Sequence, residues 1–282
     1  MRYEGMIYRP PSEADSLLVQ ATIGCSWNRC TFCSMYRDKK YRVRPLDEVM
    51  ADLREAASSV GGFRRIFLCD GDALALPMPF LTAVLEEIGR LFPRLDAVRI
   101  YASARNVLNK RQDELRSLAA LGVDMAYIGL ESGSDRVLSA VNKGITAREM
   151  VDSAVMLRDA GIKQSISVIA GLGGEELWEE HILETANVLN AMQPEYLGML
   201  VLHTGDDAGP APLFDDGSFR LPTFRQVLAE TRLLIEKLEL KDCLFTSAHV
   251  SNYFYLRGRL SREKQKLLRE IDAAPLDDPL RA

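Results

Sequence analysis

Apolar runs of strand length alternate with amphipathic stretches of helix length along most of the chain, which restricts it to repeated βα units around a parallel sheet. Residues 17–23 read as the first strand, with a helix over 46–59. Strands at 65–69, 97–102, 125–130 and 164–169 precede helices at 79–91, 112–121, 147–160 and 177–192, and a sixth strand covers 196–202. Gly122, Gly161 and Pro194 fall where successive helices must stop and turn into the next strand. The pattern predicts an α/β fold: a partial (β/α)6 TIM-like barrel over 17–204, a lead-in over 1–16 and a C-terminal extension over 205–282 packed on the barrel.

Within the extension, residues 205–217 are dense in Gly, Pro and Asp and read as a loop. A helix over 223–238, an apolar stretch at 243–245 and a helix over 261–272 follow, with a frayed tail from 275. Residues 246–257 carry many hydrogen-bonding and aromatic groups, suited either to meeting a substrate or to a loop satisfying its own backbone.

The charge balance, 35 Lys and Arg against 40 Asp and Glu, gives a net charge of −5 and no general attraction to nucleic acid. The basic run at 257–266 reads as a solvated helix face. Residues 1–16 lack the apolar core of a secretory signal, and no run is long enough to span a bilayer, so a cytoplasmic setting is expected.

Three of the five cysteines, Cys25, Cys30 and Cys33, lie within nine residues in the loop after the first strand. Four-iron clusters normally take four cysteines, so three leave one iron open to a ligand. A zinc knuckle or unmetallated thiols are the alternatives, although zinc sites usually bring a second ligand pair, and no histidine lies close in sequence. Cys69 and Cys243 stand alone and read as small buried hydrophobes.

The loop Gly24-Cys25-Ser-Trp-Asn-Arg-Cys30-Thr-Phe-Cys33 resembles the radical S-adenosylmethionine (SAM) superfamily, and the chain looks like its coproporphyrinogen-oxidase-like members. That resemblance implies a [4Fe-4S] cluster on the three cysteines, with SAM chelated to the open iron and cleaved reductively to a 5′-deoxyadenosyl radical. Phe32 matches the aromatic residue beside the adenine. The gap of four residues between Cys25 and Cys30 departs from the usual three.

The resemblance also distributes cofactor contacts over the other strand ends. Asp70-Gly71-Asp72 stands where the family often has Gly-Gly-Glu for the methionyl amino group. Asp72, Asp70 or a backbone carbonyl then takes that role, with helix capping as the alternative for the aspartates. Ser103 is expected at a ribose or carboxylate, and Glu131 at the ribose hydroxyls. Lys143, or alternatively Arg148, falls where a basic residue meets the SAM carboxylate; a solvated lysine is the other reading. Ile169 and Gly171 lie in a stretch like the family's Gly-x-Ile-x-Gly adenine contact, with Ser167 in place of its first glycine, a plain turn being the alternative; His203 stands near the adenine, serves as an acid or base, or is structural as isolated histidines more often are.

The function so implied is a radical SAM enzyme acting on an unidentified substrate of small-molecule class. It would need a reductant protein such as flavodoxin or ferredoxin, with no role for membrane or nucleic acid. A non-catalytic iron–sulfur or metal-binding protein is the alternative.

Overall fold

The computed structural model describes residues 1–59, 61–202, 219–252 and 254–274. The chain forms two compact units: one takes Met1–Asn28, Met35–Ile128 and Val155–Gln164, the other Arg29–Ser34, Gly129–Ala154 and the part of the chain from Ser165 onward.

In the first unit, β1 (Leu17–Gln20) pairs in parallel with β4 (Arg65–Cys69), with Leu17 opposite Ile66. β4 pairs in parallel with β5 (Ala97–Tyr101), and β5 with β6 (Val123–Glu131). The run Ile66, Phe67, Leu68 and Cys69 is fully buried, as a strand flanked on both sides in a parallel sheet requires. The rings of Phe67, Tyr101 and Tyr127 meet edge to face, Phe67 lying 4.7 Å from Tyr101 and 5.4 Å from Tyr127.

The expected first strand breaks at Ala21. Its N–H donates to the Cys69 carbonyl at 2.6 Å, while β2 (Thr22–Ile23) leaves to pair antiparallel with β3 (Arg42–Val43). α1 (Leu46–Ser59) buries Val49, Leu53 and Ala56 on one stripe and carries Asp47 and Glu48 in its first turn, where the helix dipole favours acids. α2 (Met78–Leu91) accepts Pro79 in its first turn, where no backbone donor is needed. α3 (Ala104–Leu108) was not expected, and α4 (Gln112–Ala120) was.

In the second unit, β7 (Lys163–Ala170) pairs in parallel with β8 (Tyr196–Val201), and β8 with β9 (Leu244–Thr246). β10 (Arg257–Arg259) runs antiparallel to β9 with Gly258 opposite Phe245, so the basic run begins as an edge strand rather than as a helix face. The hydrogen-bonded order is β1-β4-β5-β6 for the strands of the first unit and β7-β8-β9-β10 for those of the second. The extension therefore adds strands to the sheet. Helices α5 (Asp135–Ala140), α6 (Ala147–Asp159), α7 (Gly174–Met192), α8 (Phe224–Lys237) and α9 (Leu260–Asp272) complete the fold, α6 ending among the residues of the first unit. Among the described residues, no helix is long and apolar enough to cross a membrane.

Candidate functional site

The candidate residues fall into two sets. In the first unit they gather behind the C-terminal end of β4, the edge at which barrel enzymes place their ligands. Asp70 is fully buried and its charge is spent: Oδ2 lies 2.8 Å from the Lys39 ammonium and accepts the Gly24 N–H at 3.0 Å. Gly71 donates its N–H to the Gly24 carbonyl at 3.1 Å, and a Cβ there would sit 2.6 Å from the Tyr36 ring. These two residues thus anchor the cysteine loop; Asp70 Oδ1 has no hydrogen-bond partner, but the Lys39 ammonium already balances the charge of that carboxylate.

Asp72 differs. It is fully buried, with Oδ2 accepting from the Ser26 hydroxyl at 2.5 Å, the Ser103 hydroxyl at 3.0 Å and the Asn106 amide at 2.5 Å, while Oδ1 has no hydrogen-bond partner. Desolvation holds its carboxyl above the usual carboxylate range despite those three side-chain donors and a backbone hydrogen bond from Ser103. A buried carboxylate oxygen with its acceptor capacity unspent fits the ammonium of a methionyl group. Ser103, expected at a ribose or carboxylate, is engaged otherwise: it donates to Asp72 and, as N-cap of α3, accepts the Asn106 N–H at 3.2 Å. The sequence reading assigned no role to Ser26 or Asn106, because their importance lies in a carboxylate distant along the chain.

The long gap between the first two cysteines contains a left-handed turn at Asn28, φ 45°, whose side-chain amide donates to the carbonyls of Tyr36 at 2.7 Å and Lys39 at 3.2 Å. One residue earlier, Trp27 receives the Arg105 guanidinium 3.8 Å from its ring centre.

In the second unit, Cys33 donates its N–H to the Cys30 carbonyl at 3.3 Å, closing a turn, and the Thr31 N–H reaches Val141 O at 3.0 Å. Phe32, at the tip of that turn, packs on a buried cluster that includes Val137, Val141, Ile169 and Leu172. Lys143 lies 5.8 Å from the centre of the Phe32 ring and 3.0 Å from Glu131. Burial would push its ammonium down, but the charge of Glu131 and the thiols of Cys30 and Cys33 outweigh this and hold it above its ordinary value.

Glu131 ends β6 in a left-handed conformation, φ 64°, and accepts weakly from the Ser167 hydroxyl at 3.4 Å. Gly129 makes room for it, since a Cβ there would lie 1.8 Å from Glu131 Oε1 and 3.0 Å from Lys143 Nζ. Arg148, the alternative to Lys143, is 90% exposed and meets only Asp152 among its described ion-pair partners, at 3.8 Å, so it belongs to the surface and not to this set. Ile169 is buried in the apolar cluster, and Gly171 takes φ 85° in the turn after β7. His203 lies outside the described residues.

All five cysteines are outside disulfides; Cys25, Cys30 and Cys33 are partly exposed, whereas Cys69 and Cys243 are buried and their thiols pushed far up by desolvation. Among the described residues no three His, Cys, Asp or Glu groups gather around one point that would hold a single ion. Three thiolates on separate irons of a cluster need no such common point. The donor set fits a cluster with an open iron: three accessible thiols on one loop, one fewer than a four-iron cluster normally takes.

Comparison with known proteins agrees. The chain is 26% identical over 254 residues to the tRNA-2-methylthio-N(6)-dimethylallyladenosine synthase of Legionella pneumophila (strain Corby), covering 84% of this chain and 54% of that one. To the synthase of the same name from Chlorobium phaeobacteroides (strain BS1) it is 28% identical over 172 residues, 59% of this chain and 38% of that one. This chain therefore spans about half or less of the length of these relatives. In structure it is similar to coproporphyrinogen III oxidase from Escherichia coli, described as a radical SAM enzyme, with TM-score 0.61 at 17% identity over 79% of this chain and 52% of that one. That likeness shows the partial TIM-barrel fold. Residues 19–186 match the family described as the Radical SAM superfamily, whose members are enzymes using a [4Fe-4S] cluster and SAM, and the chain belongs to that superfamily.

Proposed function

We propose that the chain binds a [4Fe-4S] cluster through Cys25, Cys30 and Cys33, binds SAM beside it, and starts radical chemistry on a small-molecule substrate. The cofactors, when bound, supply one-electron cleavage of the SAM sulfonium to a 5′-deoxyadenosyl radical. The observation that carries this reading is the three-cysteine loop, partly exposed and within the segment matched to the family.

The chain's own residues divide the work of holding SAM. Asp72 takes the methionyl ammonium on its unpartnered oxygen. Lys143 meets the carboxylate and Glu131 the ribose hydroxyls; paired with each other they bring no net charge into a largely buried place, while an ammonium has three donors and a carboxylate about four acceptor sites to share. Phe32, Ile169 and Gly171 offer the adenine an apolar seat that keeps water away.

The curated relatives are named for a tRNA product, but the net charge of −5 and the ion pairs of Arg259 with Asp242 and of Lys266 with Glu263 support a small substrate instead. Electrons come from a reductant of the flavodoxin or ferredoxin class in a reducing cytoplasm.

The test is anaerobic reconstitution with iron and sulfide, followed by electron paramagnetic resonance of the reduced cluster with and without SAM. About four irons per chain and a spectrum altered by SAM are expected, both lost in Cys30→Ala. A cluster indifferent to SAM would leave the non-catalytic alternative standing.

A further inference from the structure

The turn after β7 is gripped by α8, an element outside the segment matched to the family. The turn closes on itself through the Gly174 N–H and the Gly171 carbonyl at 3.1 Å, and both glycines have positive φ, 61° and 85°. Glu230, fully buried on α8, accepts the Gly171 N–H on Oε2 at 2.6 Å. One helical turn earlier, Gln226 donates to the Gly174 carbonyl at 3.0 Å and lies 3.4 Å from the other Glu230 oxygen. α8 thus holds an N–H at one end of the turn and a carbonyl at the other. The space is filled as well: a Cβ on Gly171 would lie 2.3 Å from Pro222.

No cation is bonded to Glu230 among the described residues, and its surroundings push the carboxyl up to about 7 by desolvation. A buried carboxylate left without a cation costs stability, and burial of apolar surface alone would seat α8 without it. Its shortest bond among the described residues is to the turn that follows Ile169, and Ile169 packs in the cluster on which Phe32 rests.

We propose that Glu230 is a positioning residue for the cofactor: it fixes the Gly171 turn, and with it the Ile169–Gly171 backbone, in the conformation that receives the adenine. The proposal rests on the functional reading above. It makes the extension part of the cofactor site's support, so that a change on α8 alters SAM affinity through a side chain that never touches SAM.

The test uses the full chain, anaerobically reconstituted, with SAM affinity measured by equilibrium dialysis and protection of the Gly171 amide by hydrogen exchange. Glu230→Met removes the acceptor at similar volume; a tenfold or greater loss of SAM affinity, faster exchange at Gly171 and unchanged iron content are expected. Glu230→Gln keeps an acceptor oxygen and should restore affinity to within about threefold of wild type, a rescue that a merely space-filling role would not give. Gln226→Leu, at a half-buried position, gives a smaller loss in the same direction and carries the test if Glu230→Met does not fold. Wild-type affinity in Glu230→Met, or in Gln226→Leu where it stands in, overturns the proposal, as does a Glu230→Gln protein as weak as Glu230→Met. A wild-type protein that holds its cluster and binds no SAM overturns the functional reading itself, and the proposal with it.

Discussion

Two buried carboxylates at opposite strand ends of the first unit, Glu13 and Asp72, have opposite surroundings. At the N-terminal end, Glu13 is fully buried and meets Arg99 at 2.7 Å, Arg65 at 3.6 Å and the Tyr127 hydroxyl. Beyond the C-terminal end of β4, Asp72 is equally buried but its partners among the described residues are neutral, two hydroxyls, an amide and the Ser103 backbone, with one oxygen unpartnered. A carboxylate matched by cations serves the fold; one left short of them and with an oxygen unpartnered, as Asp72 is, has affinity to spare for a ligand. Burial alone does not separate the two roles, and the identity of the partners does.

That contrast breaks most readily at Glu13. Glu13→Ala leaves Arg99 and Arg65 facing each other without their acid, and stability should fall by about 3–5 kcal/mol in chemical denaturation. A loss below about 1 kcal/mol would mean that the network does not serve the fold.

Asp72→Asn should do the reverse, reducing SAM affinity at least thirtyfold while leaving the fold intact. Because the folded carboxyl is raised, the native state holds a proton that the unfolded chain has released, so wild-type stability falls as pH rises from the ordinary carboxylate range through the folded value. The Asn variant should lack that fall. A variant that loses stability at neutral pH and keeps its SAM affinity would place Asp72 with Glu13.

Glu230 gives a smaller effect of the same sign. Its carboxyl, pushed up to about 7, makes wild-type stability decline between about pH 4.5 and 7, and above that range Glu230→Gln should be the more stable protein by on the order of 1 kcal/mol. Equal pH profiles by thermal denaturation would count against a strained carboxylate.

The smallest effect is expected at Arg148. Arg148→Ala should change stability by less than about 0.5 kcal/mol and SAM affinity not at all, whereas Lys143→Ala should weaken SAM several-fold in calorimetric titration. Equal losses in the two would undo the choice between them.

Much of this architecture was legible in the sequence, since β4 over 65–69 and α1 over 46–59 carry strong, unambiguous patterns. α3 and α5 were not, because each is too short for periodicity and depends on one serine cap, Ser103 or Ser134. β10 hid in a charged run because an edge strand can carry exposed arginines on both sides of one buried glycine. At the candidate site, spacing brought out Asp70-Gly71-Asp72 but could not divide its labour. That division depends on Lys39, 31 positions before Asp70, and on Asn106, 34 beyond Asp72. Nothing local marked Glu230 either, since the amide that it holds lies 59 positions away.

The most direct test of the account is product analysis. Anaerobically reconstituted protein, given SAM and a strong one-electron reductant, should release 5′-deoxyadenosine and methionine in equal amounts, and Cys30→Ala should release neither. A protein that carries its cluster and binds SAM yet yields no 5′-deoxyadenosine under reduction would contradict it.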